Sequence, residues 1–281
     1  LHNSTNTYFN IVECKICGLN FTNPRPSINE IHKYYPKNYA FYKDESLLKK
    51  FIRKLISYFA NSLFGYIFSF IPYVNTRLKL HVKYKIENPI KLNINTYFLD
   101  IGAGSGDTSY WWGEKGSVKY YSKISKNIFA VEPDKNAQVK LNKNNLKVFN
   151  TIDDIPEDVI FDYIRMNWSL EHVHDPNKYF KFIKHHLNNK GSAIITVPNY
   201  SGLIYLIDKA HVELPLHLYH FKAKDIKNFC EKYDLVIDNY KTFSFASMYY
   251  SAAFINNNFK KFKDYSLIEL KLFQKNLKEL D

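Results

Sequence analysis

From residue 96 onward the chain alternates short apolar runs with helical or polar stretches. Runs at Tyr97–Ile101, Ile128–Glu132, Leu146–Phe149, Tyr163–Asn167 and Ala193–Val197 predict strands. Helical patterning spans Asp134 to about Asn144 and Pro176 to Leu187, the second stopped by NNKG, whose Gly191 suits a helix C-terminus. Ala223–Lys232 predicts another helix, LVIDNYKTF after it a strand, and residues 264–281 a Leu- and Lys-bearing helix. Strands alternating with helices in this way build a parallel sheet covered on both faces.

The first 90 residues read differently. Phe51, Leu55, Phe59, Leu63, Ile67 and Phe70 recur at spacings of three and four, so residues 45–90 are expected to be helical. Residues 1 to about 45 show no long apolar period and hold CKICG and NPRPS. The chain therefore divides into residues 1–90, a partial CxxC module with a helical lid, and residues 91–281, an α/β catalytic domain. Leu55–Val74 carries no charge and follows Lys49, Lys50, Arg53 and Lys54, a length that could span a bilayer. Asn61, Ser62, Gly65, Ser69 and Pro72 interrupt it and only one flank is basic, which favours a helix packed over the sheet or the active-site mouth. Interfacial membrane contact is the lesser reading.

Charge narrows the partners. Lys and Arg outnumber Asp and Glu by 39 to 27, a formal charge of +12 that favours anionic ligands. The lysines are dispersed among Asn, Ile and Tyr without an arginine-rich run, so nucleic acid is not singled out. Three cysteines, Cys14, Cys17 and Cys230, exclude a disulfide scaffold and suit a reducing compartment. With no secretory signal at the start, a cytoplasmic protein is expected.

The chemistry concentrates in FLDIGAGSGDTS, residues 98–109, which uses three of the chain's 9 glycines. A strand ending in a glycine turn before a helix presents unpaired N–H groups, and glycines admit a ligand where a Cβ would collide. A dinucleotide fingerprint needs GxGxxG, but the third glycine position holds Asp107; the spacing is GxGxG, with Asp100 two residues before Gly102. At the tip of the next strand Glu132 is placed to accept both hydroxyls of a ribose. The pair points to a nucleoside cofactor other than NAD.

These residues resemble the class I S-adenosylmethionine-dependent methyltransferases. LDIGAGSG is similar to that superfamily's first motif, AVEPD to its second, and FDYIRMNWSLEHVHDPNKYFKFIKHHLNNKGSAIITVPN to its fourth strand, following loop and helix, and fifth strand. SLEHVHDP, VPN, HLYHF and the N-terminal CKICGLNFTNPRPS resemble a small-molecule branch that carries a CxxCG and NPRP segment. The resemblance implies a Rossmann-like, doubly wound, mostly parallel seven-stranded sheet with helices on both faces and an N-terminal helical lid. It further implies that Asp100 and the backbone at Gly102, Gly104 and Gly106 hold the amino and carboxylate ends of S-adenosylmethionine. Glu132 would take the ribose, and Asn167 and Trp168 would lie near the adenine or the methionyl part. Asn150, Asp153 or Asp154 would meet the adenine amine.

Methyl transfer from a sulfonium requires alignment of acceptor, methyl and sulfur, and a hydroxyl acceptor requires a base. His172 in SLEHV is the first candidate, and His217 and His220 in LPLHLYH could reach the same crevice. HVH and HLYH lack acids at helical spacing, so no catalytic metal is expected. Cys14 and Cys17 are half of a four-ligand zinc site and read as reduced thiols by themselves. The expected function is methyl transfer to a small polar acceptor, most simply O-methylation of a sugar or phosphorylated metabolite in surface-polysaccharide biosynthesis. The rivals are an RNA or DNA methyltransferase, favoured by charge but lacking an NPPY-type tetrapeptide where NWSL stands, and a non-catalytic membrane-associated cofactor-binding protein.

Overall fold

A computed structural model describes residues 7–35, 90–106, 116–144, 146–201 and 213–240. Apart from Ile90, the predicted helix over 45–90 lies outside the described residues, as do its uncharged stretch and the helix over 264–281. Nearly all described residues belong to one compact unit, Leu1–Ser46, Lys85–Pro198 and Glu213–Ile237. The second unit, Leu47–Tyr84, Asn199–Val212 and Asp238–Asp281, contributes only 199–201 and 238–240 to them.

The unit is built on five parallel strands: β3 (Phe98–Ile101), β4 (Ile128–Val131), β5 (Lys147–Phe149), β6 (Phe161–Asn167) and β7 (Leu187–Thr196). Their spatial order is β5-β4-β3-β6-β7. Every residue of β3 and β4 is buried, as expected of central parallel strands covered on both faces. Alternation along them feeds two cores. Leu99, Ile101, Phe129 and Val131 join Phe180 and Ile183 of α3 (Pro176–His186) and Cys230 of α4 (Ala223–Lys232) on one face. Phe98, Ile128 and Ala130 meet Val118 and Tyr121 of α1 (Val118–Tyr121) and Leu141 of α2 (Lys135–Asn142) on the other.

Connections leave β3 toward β4 and leave β6 toward β7, so the winding reverses between β3 and β6. Doubly wound sheets bind ligands in the crevice outside such a switch point, beyond the carboxyl ends of the strands. Both strands end there in the residues singled out from sequence: Gly102 after β3, Asn167 and Trp168 at and after β6.

Three expectations change. The parallel sheet has five strands among the described residues rather than seven. Gly191 does not cap a helix: α3 ends at His186, Leu187 is already extended, and β7 runs through NNKG. The β6–β7 register jumps from Phe161↔Leu187 to Tyr163↔Ser192, so NNKG forms a bulge. A Cβ on Gly191 would lie 2.9 Å from the Asp162 carbonyl oxygen, which explains the glycine. After Tyr233, residues 235–240 are irregular rather than a strand.

The N-terminal segment forms an antiparallel hairpin, β1 (Asn10–Glu13) and β2 (Asn20–Asn23), joined by β8 (Tyr219–His220) into a second sheet. CKICG makes the hairpin turn, closed by Gly18 N–H to the Cys14 carbonyl at 2.8 Å, with Gly18 at φ +74°. Backbone N–H groups of Cys17 and Ile16 aimed at the Cys14 sulfur lower its pKa. All three thiols are free.

One charged pair lies within the apolar core. Arg165 of β6 is paired in register with Asp100 of β3, and their exposures are 1% and 2%. Nε donates to Asp100 Oδ1 at 2.9 Å and Nη2 to Oδ2 at 2.7 Å, while Nη1 reaches the Gly116 carbonyl at 2.7 Å. The guanidinium also lies 5.2 Å from the Phe98 ring centroid and 5.6 Å from that of Tyr121. Removing one member would leave an uncompensated buried charge. Arg165→Met is expected to lower the unfolding free energy by about 3–5 kcal/mol, and Asp100→Leu/Arg165→Met to recover much of that loss. Urea denaturation of the two variants checks this; equal losses in both would show that the ion pair is not the source.

Candidate active site

The glycine turn begins where β3 ends. Gly102, Gly104 and Gly106 all have positive φ, at +79°, +56° and +78°. The Gly102 and Ala103 N–H groups bond the Val131 carbonyl, which ties the turn to β4. A Cβ on Gly102 would stand 2.5 Å from the Ser169 Cβ, and one on Gly106 would stand 2.7 Å from Leu141 Cδ2. Ser169 itself bonds the Ile101 carbonyl through Oγ at 2.8 Å. Turn and post-β6 loop are therefore packed backbone against backbone, and the glycines are a steric requirement.

Glu132 follows β4 and is 4% exposed. Its Oε2 accepts from Gly104 N–H at 2.7 Å and its Oε1 from Asp134 N–H at 2.9 Å. Burial raises its pKa, helped by the charges of Asp134 and Asp100, while the two N–H donors oppose the shift. Each carboxylate oxygen keeps acceptor capacity beyond these bonds, so a ribose diol can be received without breaking the turn. Asp100 accepts from Arg165 at both oxygens, one bond to each. Of the adenine candidates, Asn150 accepts from Gln138 Nε2 at 2.6 Å, Asp153 pairs with Lys178, and Asp154 caps Thr151 N–H.

Trp168 sits at φ 56°, an uncommon conformation for a bulky residue and one that gathers at functional sites. Its N–H bonds the Thr196 carbonyl, and the Thr196 hydroxyl donates to Asn167 Oδ1, holding the ends of β6 and β7 together.

The following single turn of 3-10 helix, Leu170–His172, carries the second half of the site. The His172 Nδ1 lies 3.0 Å from the Leu216 carbonyl, and the two imidazoles of His172 and His217 meet edge to face with centroids 4.8 Å apart. Leu218 N–H bonds the Glu171 carbonyl, and the Thr22 hydroxyl donates to the His217 carbonyl at 2.6 Å. His220 Nε2 lies 3.0 Å from the same hydroxyl. Burial lowers the pKa of His172 to about 4 and of His220 to about 4, and it lowers His217 further with help from both neighbours. All three are neutral imidazoles at neutral pH.

The structure thus brings His172 and His217 together, with His220 one hydrogen bond behind them. It adds three residues to which sequence reasoning gave no such role. Glu171 is 1% exposed, and burial with the nearby Glu213 charge raises its pKa to about 8. Glu213 Oε2 lies 3.7 Å from His217 Nε2. The Tyr35 hydroxyl is raised to about 12 by burial and by the charges of Glu132, Glu171 and Glu213, and its ring centroid lies 6.4 Å from that of His172. Glu171 was visible beside His172 in SLEHV, but its burial was not; Tyr35 stood out only as one of the tyrosines after NPRPS that could form part of a lid, and Glu213 offered no local signal. His174 and His186 are structural, bonding the carbonyls of Pro26 and Val159.

Gly102→Ala tests the packed turn. The substitution is expected to cost more than the roughly 1–2 kcal/mol of a left-handed alanine, because the new methyl meets Ser169. Adding Ser169→Gly should return the steric part only, as read by thermal and urea unfolding.

Residues 50–240 match the family described as methyltransferase domain. Among solved structures the chain is similar to the YcgJ protein of Bacillus subtilis, at 17% identity over 58% of this chain and 73% of that one, with a TM-score of 0.41. It is also similar to a SAM-dependent methyltransferase of Thermotoga maritima, at 20% identity over 66% and 76%, TM-score 0.38. An S-adenosylmethionine-dependent methyltransferase of Mesorhizobium loti matches at 13% identity over 60% and 89%, TM-score 0.42. No curated protein matches the chain. Among the described residues no helix is long and apolar enough to cross a membrane. The family match covers the glycine turn, Glu132 and the post-β6 loop alike, and by it the chain belongs to the methyltransferase-domain family, with S-adenosylmethionine as its cofactor.

Proposed function

We propose that this protein is a small-molecule O-methyltransferase, moving the sulfonium methyl of S-adenosylmethionine to a hydroxyl of a sugar or phosphorylated metabolite of the kind used in surface-polysaccharide biosynthesis. The observation that carries the reading is the contact of the glycine turn with the post-β6 loop: a Cβ on Gly102 would stand 2.5 Å from the Ser169 Cβ, and the turn bearing His172 begins at the next residue, so donor and proton-handling groups are neighbours. S-adenosylmethionine supplies an activated methyl. The chain supplies the rest: Gly102, Gly104 and Gly106 admit the amino-acid end, Glu132 takes the ribose, and Asn167 and Trp168 border the methionyl part, with Asp100 shaping the turn from below.

The acceptor's proton goes to the cluster of His172, His217 and His220. Neutral imidazoles are the right protonation state for receiving it. The carboxylates of Glu132, Glu171 and Glu213 favour a hydroxyl-rich face at the reacting oxygen, while the +12 surface suits an anionic portion farther away. The free thiols fit a cytoplasmic setting.

Isothermal titration with S-adenosylhomocysteine is expected to give one site per chain; no binding would sink the cofactor half. Glu132→Ala should weaken that binding by about 10–100-fold, the loss of hydrogen bonds to a charged group. In turnover assays against a panel of sugar nucleotides, His172→Ala should reduce the rate while leaving the S-adenosylhomocysteine affinity within about threefold, since a proton-handling group acts on the chemical step. Full activity in that variant would remove His172 from the reaction.

A further inference from the structure

Glu171 enters the reading above only as one of three carboxylates near the reacting oxygen, and its surroundings ask for a more specific task. Its carboxylate is buried, and neither oxygen has a hydrogen-bond partner. Burying such a group is costly unless something compensates it. What faces it is another lone pair. A carbonyl oxygen can only accept, so the His172 Nδ1 beside Leu216 carries the ring hydrogen, and the Nε2 of the neutral ring is bare. That nitrogen lies 4.0 Å from Glu171 Oε1. The imidazole of His217 closes the third side, and one ligand atom from each of Glu171, His172 and His217 lies within 4.8 Å of the other two. Three potential ligand atoms converge on one point, and the Glu171 carboxyl, held near a pKa of about 8 by burial, would release its proton when an ion binds.

We propose that Glu171, His172 and His217 form a binding site for a divalent transition-metal ion of the zinc class. Two imidazoles and one carboxylate are the ligand set of an open zinc or iron site, in which the remaining positions take water or substrate. Metal–ligand bonds of about 2.0–2.2 Å place ligand atoms roughly 3–3.5 Å apart, so side-chain adjustments of about 1 Å close the present arrangement. The backbone is already held. Leu218 N–H to Glu171 and the His172 ring to Leu216 stitch the 213–218 turn to the 3-10 helix, and Thr22 of β2 pins His217 from behind. Glu213, 49% exposed and 3.7 Å from His217, adds negative charge at the solvent side.

The site deepens the methyltransferase reading, and one step rests on it. With the ion bound, His172 and His217 are ligands and no longer receive the proton, so the site replaces the imidazole route: an acceptor hydroxyl on the ion would be acidified and pass its proton to Glu213 and on to water. The alkoxide oxygen then forms the new bond to the methyl carbon as the carbon–sulfur bond breaks. The bond's electron pair stays on sulfur, leaving S-adenosylhomocysteine.

The test uses the full chain, stripped with a chelator and titrated with Co2+ followed by visible absorption, and with Zn2+ followed by equilibrium dialysis and elemental analysis. Cys14 and Cys17 are a competing thiolate pair, so Cys14→Ser/Cys17→Ser is titrated in parallel. One equivalent of ion bound to wild type and to the double serine variant supports the site, provided that Glu171→Gln weakens binding at least about 100-fold, beyond the cost of losing an outer-shell partner. His217→Ala, on a separate element, serves if Glu171→Gln fails to fold. Absence of binding, binding lost with the two thiols, or binding unchanged in both ligand variants overturns the proposal. S-adenosylhomocysteine titration of the stripped protein keeps the two readings apart. Cofactor binding without a metal site removes the cation alone; a metal site without cofactor binding removes the methyltransferase reading of the crevice and leaves the site standing.

Discussion

The ion pair between Asp100 and Arg165 is the interaction on which the rest of the crevice depends. It joins the two central strands on either side of the reversal in winding, where the turn and the post-β6 loop leave the sheet. A charge pair buried to 1–2% exposure is tolerated because its geometry is bidentate and its third guanidinium nitrogen reaches the Gly116 carbonyl. Two aromatic rings, of Phe98 and Tyr121, face the same guanidinium and exclude water from it. With its carboxylate so engaged, Asp100 sets the level at which β3 ends, and the three glycines then turn away from a fixed point.

The glycine turn and the imidazole cluster are in turn linked through Ser169. Its Cβ lies where a side chain on Gly102 would have to go, and its hydroxyl bonds the β3 carbonyl at Ile101. Immediately after it come Leu170–His172, so the spacing that serves the donor half also positions Glu171 and His172. The N-terminal hairpin completes the arrangement from outside the parallel sheet. β2 pairs with β8, and Thr22 reaches both His217 and His220. The CxxC segment and HLYH, nearly two hundred residues apart in the chain, are one structural piece.

Several predicted elements survive because their causes are local. β3 and β4 are unbroken apolar runs, α2 starts at Asp134, whose side chain caps Ala137 N–H, and α3 starts at Asp175 followed by Pro176. Where the reading failed, a tertiary contact overrode a local signal. Gly191 looks like a helix stop in isolation, yet it serves a bulge that brings β7 against Asp162. LVIDNYKTF has strand composition, but residues 235–240 are irregular.

By itself the sequence pointed to the family: a glycine turn at GxGxG spacing and Glu132 one βα unit later are contiguous signals, and the family match spans both. It also named His172 and His217. What only the tertiary structure decided is their state and company. Burial, which no local pattern reports, makes the imidazoles neutral and leaves the Glu171 carboxylate without a donor. The pairing of Asp100 with Arg165, 65 residues away, was likewise invisible in the sequence, because a side chain's partner is set by what packs against it.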